Sequence, residues 1–160
     1  MVSESPPPGC PDCAVYMSER VADRIARDSA DALSNGMEAM GLLYGHPFMH
    51  GERKLLRIEG AAALPTVGTM HHVIVDRKGD VDDSWAGAGS VVVGWYHSHT
   101  GVGSFMSETD IRTHRRWFGE TLSVAAVYDA VEKDLGIYML VGGVAKRADF
   151  AVYRRSPTSP

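Results

Sequence analysis

The sequence predicts an α+β fold, a single mixed sheet with one helix ahead of it and a second helix inserted in it. Three observations carry this. A chain of 160 residues that is 44% hydrophobic and 22% charged has ordinary globular composition and the length of one domain with a sizeable core. Two segments, at 18–36 and 107–119, repeat apolar residues at three- and four-residue steps between a serine start and a glycine stop. Around them lie short apolar runs rich in β-branched residues and bounded by glycine or polar turns.

Residues 1–16 contain Pro6, Pro7, Pro8 and Pro11. Their fixed φ and missing N–H groups predict a flexible arm, with order beginning near Ser18. Ser18 caps the first helix, Glu19 suits its dipole, and Val21, Ala22, Ile25, Ala26, Ala30 and Leu33 form its apolar stripe up to Asn35-Gly36. Residues 37–45 are an apolar run expected as a buried strand, with one acid, Glu38, at its start. Residues 55–63 and 71–76 predict two more strands, and 77–90, rich in Gly, Asp and Ala, a surface loop. Residues 91–96, Val-Val-Val-Gly-Trp-Tyr, suit a strand buried on both faces. Ser107 opens the second helix, which carries Ile111, His114 and Trp117 and stops at Gly119. Residues 122–128 and 135–141 predict a hairpin, and a short element follows from Ala145. The expected organisation is therefore an arm at 1–16, a domain at 17–154 and a disordered tail at 155–160.

The net charge of −4, with Lys+Arg at 16 against Asp+Glu at 20, argues against a phosphate-tracking nucleic-acid binder, which needs a basic face. No apolar run reaches the ~18 residues of a membrane span, and the start lacks the pattern of a secretory signal. A cytoplasmic location is the expectation. Cys10 and Cys13 are the two cysteines; adjacent in the arm, they cannot staple distant parts of a fold, and their C-x-x-C is expected to be incidental.

Seven histidines are the less ordinary number. His97 and His99 are two apart, so in an extended segment both imidazoles face one side and can reach one ion. Asp110 lies in the first turn of the next helix, and Gly101 and Gly103 allow a turn tight enough to bring it back over the histidines. Two imidazoles and one carboxylate leave a tetrahedral position open, as in a catalytic zinc site.

The string His97-Ser98-His99, seven residues, Ser107, two residues, Asp110, with Glu38 upstream in Glu-Ala-Met-Gly-Leu-Leu-Tyr-Gly, resembles the JAMM motif of the MPN, or JAB, family of zinc metallopeptidases. The resemblance runs from about Val15 to Tyr153. It implies a curved, mostly antiparallel sheet flanked by helices, the three-layer-like, cytidine-deaminase-like MPN/JAB fold. It implies one zinc ion per chain held by His97, His99 and Asp110, with Glu38 as general acid/base and Ser107 stabilising the oxyanion. Ser98 would point away from the metal and serve packing. Phe105 and Met106 match apolar positions that line the substrate's tail in related isopeptidases. Thr100 stands where the family usually has proline, which touches loop stiffness rather than ligation.

What the resemblance implies for function is a zinc-dependent peptidase or isopeptidase acting at the C-terminal tail of a ubiquitin-like or sulfur-carrier protein. A biosynthetic zinc hydrolase of small-molecule amides and a non-catalytic MPN scaffold are the alternatives, and MPN domains often pair as homodimers. The absence of glutamine and the preference for Arg over Lys suggest a GC-rich bacterial source. His50-Gly51-Glu52 has the H-x-E spacing of zinc deaminases, but no P-C-x-x-C follows it. His46 and His50 are expected in a polar loop, His71 and His72 at a strand start, and His114 as a partly buried structural residue. Arg112, Arg115 and Arg116 are expected on a solvated helix face.

Overall fold

The computed structural model describes residues 1–64, 89–119 and 121–154. The strand expected at 71–76, most of the loop at 77–90 and the tail at 155–160 lie outside the described residues. The described elements run β1 (Val15–Ser18), α1 (Glu19–Ser34), β2 (Met40–His50), β3 (Arg53–Ala63), β4 (Val91–His99), α2 (Glu108–Phe118), β5 (Val124–Asp129), β6 (Asp134–Val141), β7 (Val144–Arg147) and β8 (Phe150–Tyr153). The strands form one sheet in the order β7-β6-β5-β4-β2-β3-β1-β8. Its pairings are antiparallel at β2/β3, β2/β4, β5/β6 and β6/β7 and parallel at β1/β3, β1/β8 and β4/β5.

Chain length forces this sheet to curl. Laid flat, eight strands would hold their outer members about 34 Å apart at ~4.8 Å per pairing. Yet the outer strands β7 and β8 are joined only by Ala148 and Asp149, a link that reaches at most about 11 Å. Bulges at Val93 of β4 and Glu59 of β3, the extra residues opposite Leu43/Tyr44 and Tyr44/Gly45 of β2, help bend it.

Period-2 alternation, shifted by one residue at Val93 where β4 bulges, then divides β4 between two layers. Tyr96 and Val93 join Val21 and Ile25 of α1, Leu43, Leu56, Ile58, Val124 and Ala126 in the larger core cluster, and Tyr96 Oη donates to Asp28 of α1 at 2.8 Å. Trp95 instead joins Met40, Leu42 and Ala125, against which Met106, Trp117 and Phe118 pack from the other side. Helices thus cover both faces, the α+β layering expected. Gly94 keeps β4 in place: a side chain there would collide with the Val124 carbonyl oxygen across the β4/β5 pairing.

Both helix boundaries match the expectation because both caps are local. Ser18 Oγ accepts from Val21 N, and Ser107 with Asp110 completes a reciprocal capping box. Order begins earlier than Ser18, however. Val15–Ser18 is a fully buried strand between β3 and β8, and Ser3 bridges Met49. Four residues were too short to show a periodicity, and their pairing partners lie far along the chain. His46 and His50 likewise belong to β2 rather than to a loop. Pro47 is accommodated because β4 pairs β2 only as far as Gly45, leaving that stretch free of β4. His46 Nε2 lies 3.2 Å from Glu4 and Nδ1 3.6 Å from Glu59. Among the described residues no helix is long and apolar enough to cross a membrane.

Candidate metal centre

Strand β4 runs three residues past Tyr96, so His97 and His99 are strand residues on the Trp95 face. They are 6% and 7% exposed. The His97 ring stacks on Trp95 at 4.5 Å between centroids, which fixes its plane. Asp110 is the third residue of α2, and its Oδ2 lies 3.1 Å from His97 Nε2 and 3.7 Å from His99 Nε2. The three ligand atoms lie within 4.8 Å of one another.

The donor set fits zinc. Tetrahedral ligands at ~2.0–2.1 Å from an ion stand about 3.4 Å apart, and the two N···O separations fall on either side of that. Among the described residues His97 Nδ1 is buried without a hydrogen-bond partner, while its Nε2 faces the Asp110 carboxylate, so the ring sits in a buried polar cluster whose groups cost about 1–3 kcal/mol each where they stay unsatisfied. His99 is oriented in a way that suits the same role. Its Nδ1 lies 2.7 Å from the Gly103 carbonyl, so Nδ1 carries the proton and Nε2 turns a lone pair to the cluster. Asp110 Oδ2 accepts from the Ser107 backbone N–H at 2.8 Å. Burial pushes the Asp110 carboxyl up, but the adjacent His97 imidazole and the Ser107 N–H outweigh it and bring the group down to about 2. It is a carboxylate at neutral pH.

The loop between the histidines and α2 hangs on a residue the sequence did not single out. Asp129, fully buried at the end of β5, accepts from the backbone N–H groups of Gly101, Gly103, Val131 and Glu132. Burial pushes its carboxyl up, and these four donors outweigh that and hold it below the usual carboxylate range. Gly103 joins the two ends of this scheme, with its N–H on Asp129 at 2.5 Å and its carbonyl on His99. Gly101 and Gly103 both take φ of +100°, the backbone freedom the tight turn requires.

Ser107 Oγ accepts from Asp110 N at 3.1 Å, and its side chain also helps hold the Asp110 carboxyl down. Glu38 does not begin the strand. β2 starts at Met40, and Glu38 is an exposed residue in the segment before it. That segment is nevertheless tied to the ligands, since Met40 pairs in register with His97. Ser98 N–H donates to the Ala39 carbonyl at 2.9 Å and Ser98 Oγ accepts from Ala39 N at 2.7 Å. Ser98 thus does more than fill space. Phe105 and Met106 separate: the Phe105 ring is 45% exposed and stands edge-on to His99 at 5.1 Å, whereas Met106 packs against the Trp95 cluster. His114 is a structural histidine. Trp95 Nε1 donates to its Nδ1 at 3.1 Å, and its Nε2 lies 3.0 Å from Ser123 Oγ. Burial lowers its pKa to about 4. Cys10 and Cys13, expected to be incidental, form a disulfide.

A family model for prokaryotic homologs of the JAB domain matches residues 18–153. The chain belongs to this family. An NAD(+) hydrolase TcpA of a Theionarchaea archaeon is 32% identical to this JAB domain over 106 residues, 64% of the chain and 30% of TcpA. The 26S proteasome regulatory subunit RPN11 of Eremothecium gossypii is 32% identical over 130 residues, 76% of the chain and 40% of that subunit. The ubiquitin carboxyl-terminal hydrolase RPN11 of Saccharomyces cerevisiae is 32% identical over 108 residues, 62% of the chain and 34% of the yeast protein. The matched stretches thus span less than half of these relatives. The solution structure of DSY2949 from Desulfitobacterium hafniense superposes with a TM-score of 0.60 over 89% of the chain and 95% of that protein at 15% identity, a likeness of fold.

Proposed function

We propose that this JAB domain is a cytoplasmic zinc-dependent peptidase or isopeptidase that hydrolyses an amide at the extended C-terminal tail of a ubiquitin-like or sulfur-carrier protein. The observation that carries the reading is the convergence of the buried His97, His99 and Asp110, whose ligand atoms lie within 4.8 Å of one another. These three residues would hold the ion. A bound zinc ion supplies Lewis acidity and lowers the pKa of water towards ~7. Glu38, on the segment that Ser98 ties beside the ligands, takes up a proton at its carboxylate and returns it to the leaving amine. Ser107, its Oγ anchored by Asp110 N, donates its hydroxyl proton to the oxygen that gains charge at the scissile carbonyl. The exposed ring of Phe105 beside His99, with exposed Val102 and Val131, offers an open apolar surface to an extended tail.

The test is metal analysis of the purified protein together with cleavage of tail-extended ubiquitin-like fusions. Wild type is expected to hold one zinc ion and to cleave. Glu38→Gln keeps the zinc and loses activity by about 10²–10⁴-fold, and His97→Ala loses both. Absence of stoichiometric zinc, or undiminished cleavage by Glu38→Gln, overturns the mechanism. Similarity to an NAD(+) hydrolase over 30% of its length favours a second reading, a small-molecule substrate; zinc without cleavage of any protein tail selects it.

A further inference from the structure

The sheet edge that carries β1 and β8 holds a second built site. Cys10 and Cys13 are bonded across a sequence separation of 3. Closing so small a loop removes little chain entropy from the unfolded state, and the loop is shaped by other groups. Arg53 Nη1 donates to the Pro11 carbonyl at 2.8 Å, and its Nη2 donates to the carbonyls of Asp12 at 2.8 Å and Cys13 at 3.2 Å. Tyr16 Oη donates to the Cys10 carbonyl at 2.6 Å. The fold therefore has little use for the bond as a staple. Its two sulfur residues are also unequal: Cys13 is 2% exposed in a cluster with Tyr16, Phe48, Leu55 and Tyr153, whereas Cys10 is only partly buried. Both line an open pocket of about 470 Å³ shared with Asp12, Arg147, Asp149 and Phe150. That volume admits a small molecule. Its lining offers one cation, Arg147, for a carboxylate and two acids, Asp12 and Asp149, for an ammonium, the two kinds of charge a zwitterionic thiol carries.

We infer that Cys10–Cys13 is a thiol–disulfide exchange site for a low-molecular-weight zwitterionic thiol such as glutathione. The incoming thiolate attacks the accessible Cys10 sulfur, the bond to Cys13 breaks, and Cys13 leaves as a thiolate that takes a proton from water. A second thiol attacks the mixed disulfide, Cys10 leaves and is protonated, and the two small thiols depart joined as their own disulfide. Two electrons pass from them to the protein. The fixed cation of Arg53 in the loop favours the leaving thiolate. Because Arg53 and Tyr16 keep hold of the loop, the reduced cysteines stay adjacent and the exchange reverses. The inference is independent of the metal centre.

The full chain, oxidised, is equilibrated with graded mixtures of reduced and oxidised glutathione. Free thiols are trapped by alkylation and counted by mass spectrometry, with circular dichroism recorded alongside. The expected result is interconversion of disulfide and dithiol within the series at an unchanged spectrum. Cys13→Ser takes up one glutathione on Cys10, and in Cys10→Ser the remaining Cys13 is alkylated at least about tenfold more slowly. A pair that stays oxidised in excess reduced glutathione and yields only in denaturant overturns the inference, as does equal alkylation of the two single cysteines. Reduction by a protein dithiol but by no small thiol overturns it equally.

Discussion

Helices α1 and α2 begin alike and are held differently. Each is entered through a serine cap with acid in its first turn, but α1 buries Val21, Ile25 and Ser29 against the sheet whereas α2 buries only His114. The face under α1 is apolar and close-packed. The face under α2 carries Trp95, His97 and His99 on one strand, joined to the helix through polar contacts. One strand thus serves two purposes through alternate residues: burial on the α1 side stabilises the fold, and on the α2 side it strips water from the groups of the proposed zinc site. Fully burying an aliphatic side chain contributes about 1.5–3 kcal/mol, so the first layer can sustain the polar interior of the second.

The sharpest way to break this division is to empty one layer. Ile25→Ala is expected to cost about 2–5 kcal/mol in chemical denaturation, with zinc affinity of the folded protein unchanged; a parallel loss of zinc would show that the layers are not separable. On the other side, Asp129→Asn is expected to weaken zinc binding by about 10–100-fold in competition with a chelator. The weakened grip on Gly103 N–H frees the carbonyl that orients His99. Unchanged affinity would mean that the strand alone aims the ring.

The smallest effect concerns His114 and pH. Accepting the Trp95 N–H at Nδ1 requires the neutral ring, with the proton on Nε2 towards Ser123. Protonation would set two donors face to face. The folded value of about 4 against an ordinary 6.5 means that the unfolded chain binds the extra proton. This contribution to stability is complete above about pH 6.5 and is lost as pH falls towards about 4, with a slope of up to ~1.4 kcal/mol per pH unit. Denaturation midpoints of wild type and His114→Phe across that range should diverge in slope, and parallel lines would refute the assignment.

Several features were legible in the sequence because their causes are local. The serine caps act within one turn. The i, i+2 spacing of His97 and His99 fixes a common side wherever the segment is extended, and the capping box that starts α2 also places Asp110. What only the tertiary structure decided is set by pairing over long separations. Val15–Ser18 became an interior strand because β3 and β8 flank it, and the proline-rich segment before it gained a shaped disulfide loop because Arg53 reaches back 40–42 residues to hold it. Ser98 anchors the Glu38 segment across 59 residues, and Asp129 gathers the ligand loop from 26–28 residues away. Local periodicity records which face of an element is apolar, but not which distant carbonyl will meet a given N–H. That choice is made when the curled sheet brings the two together and excludes water from them.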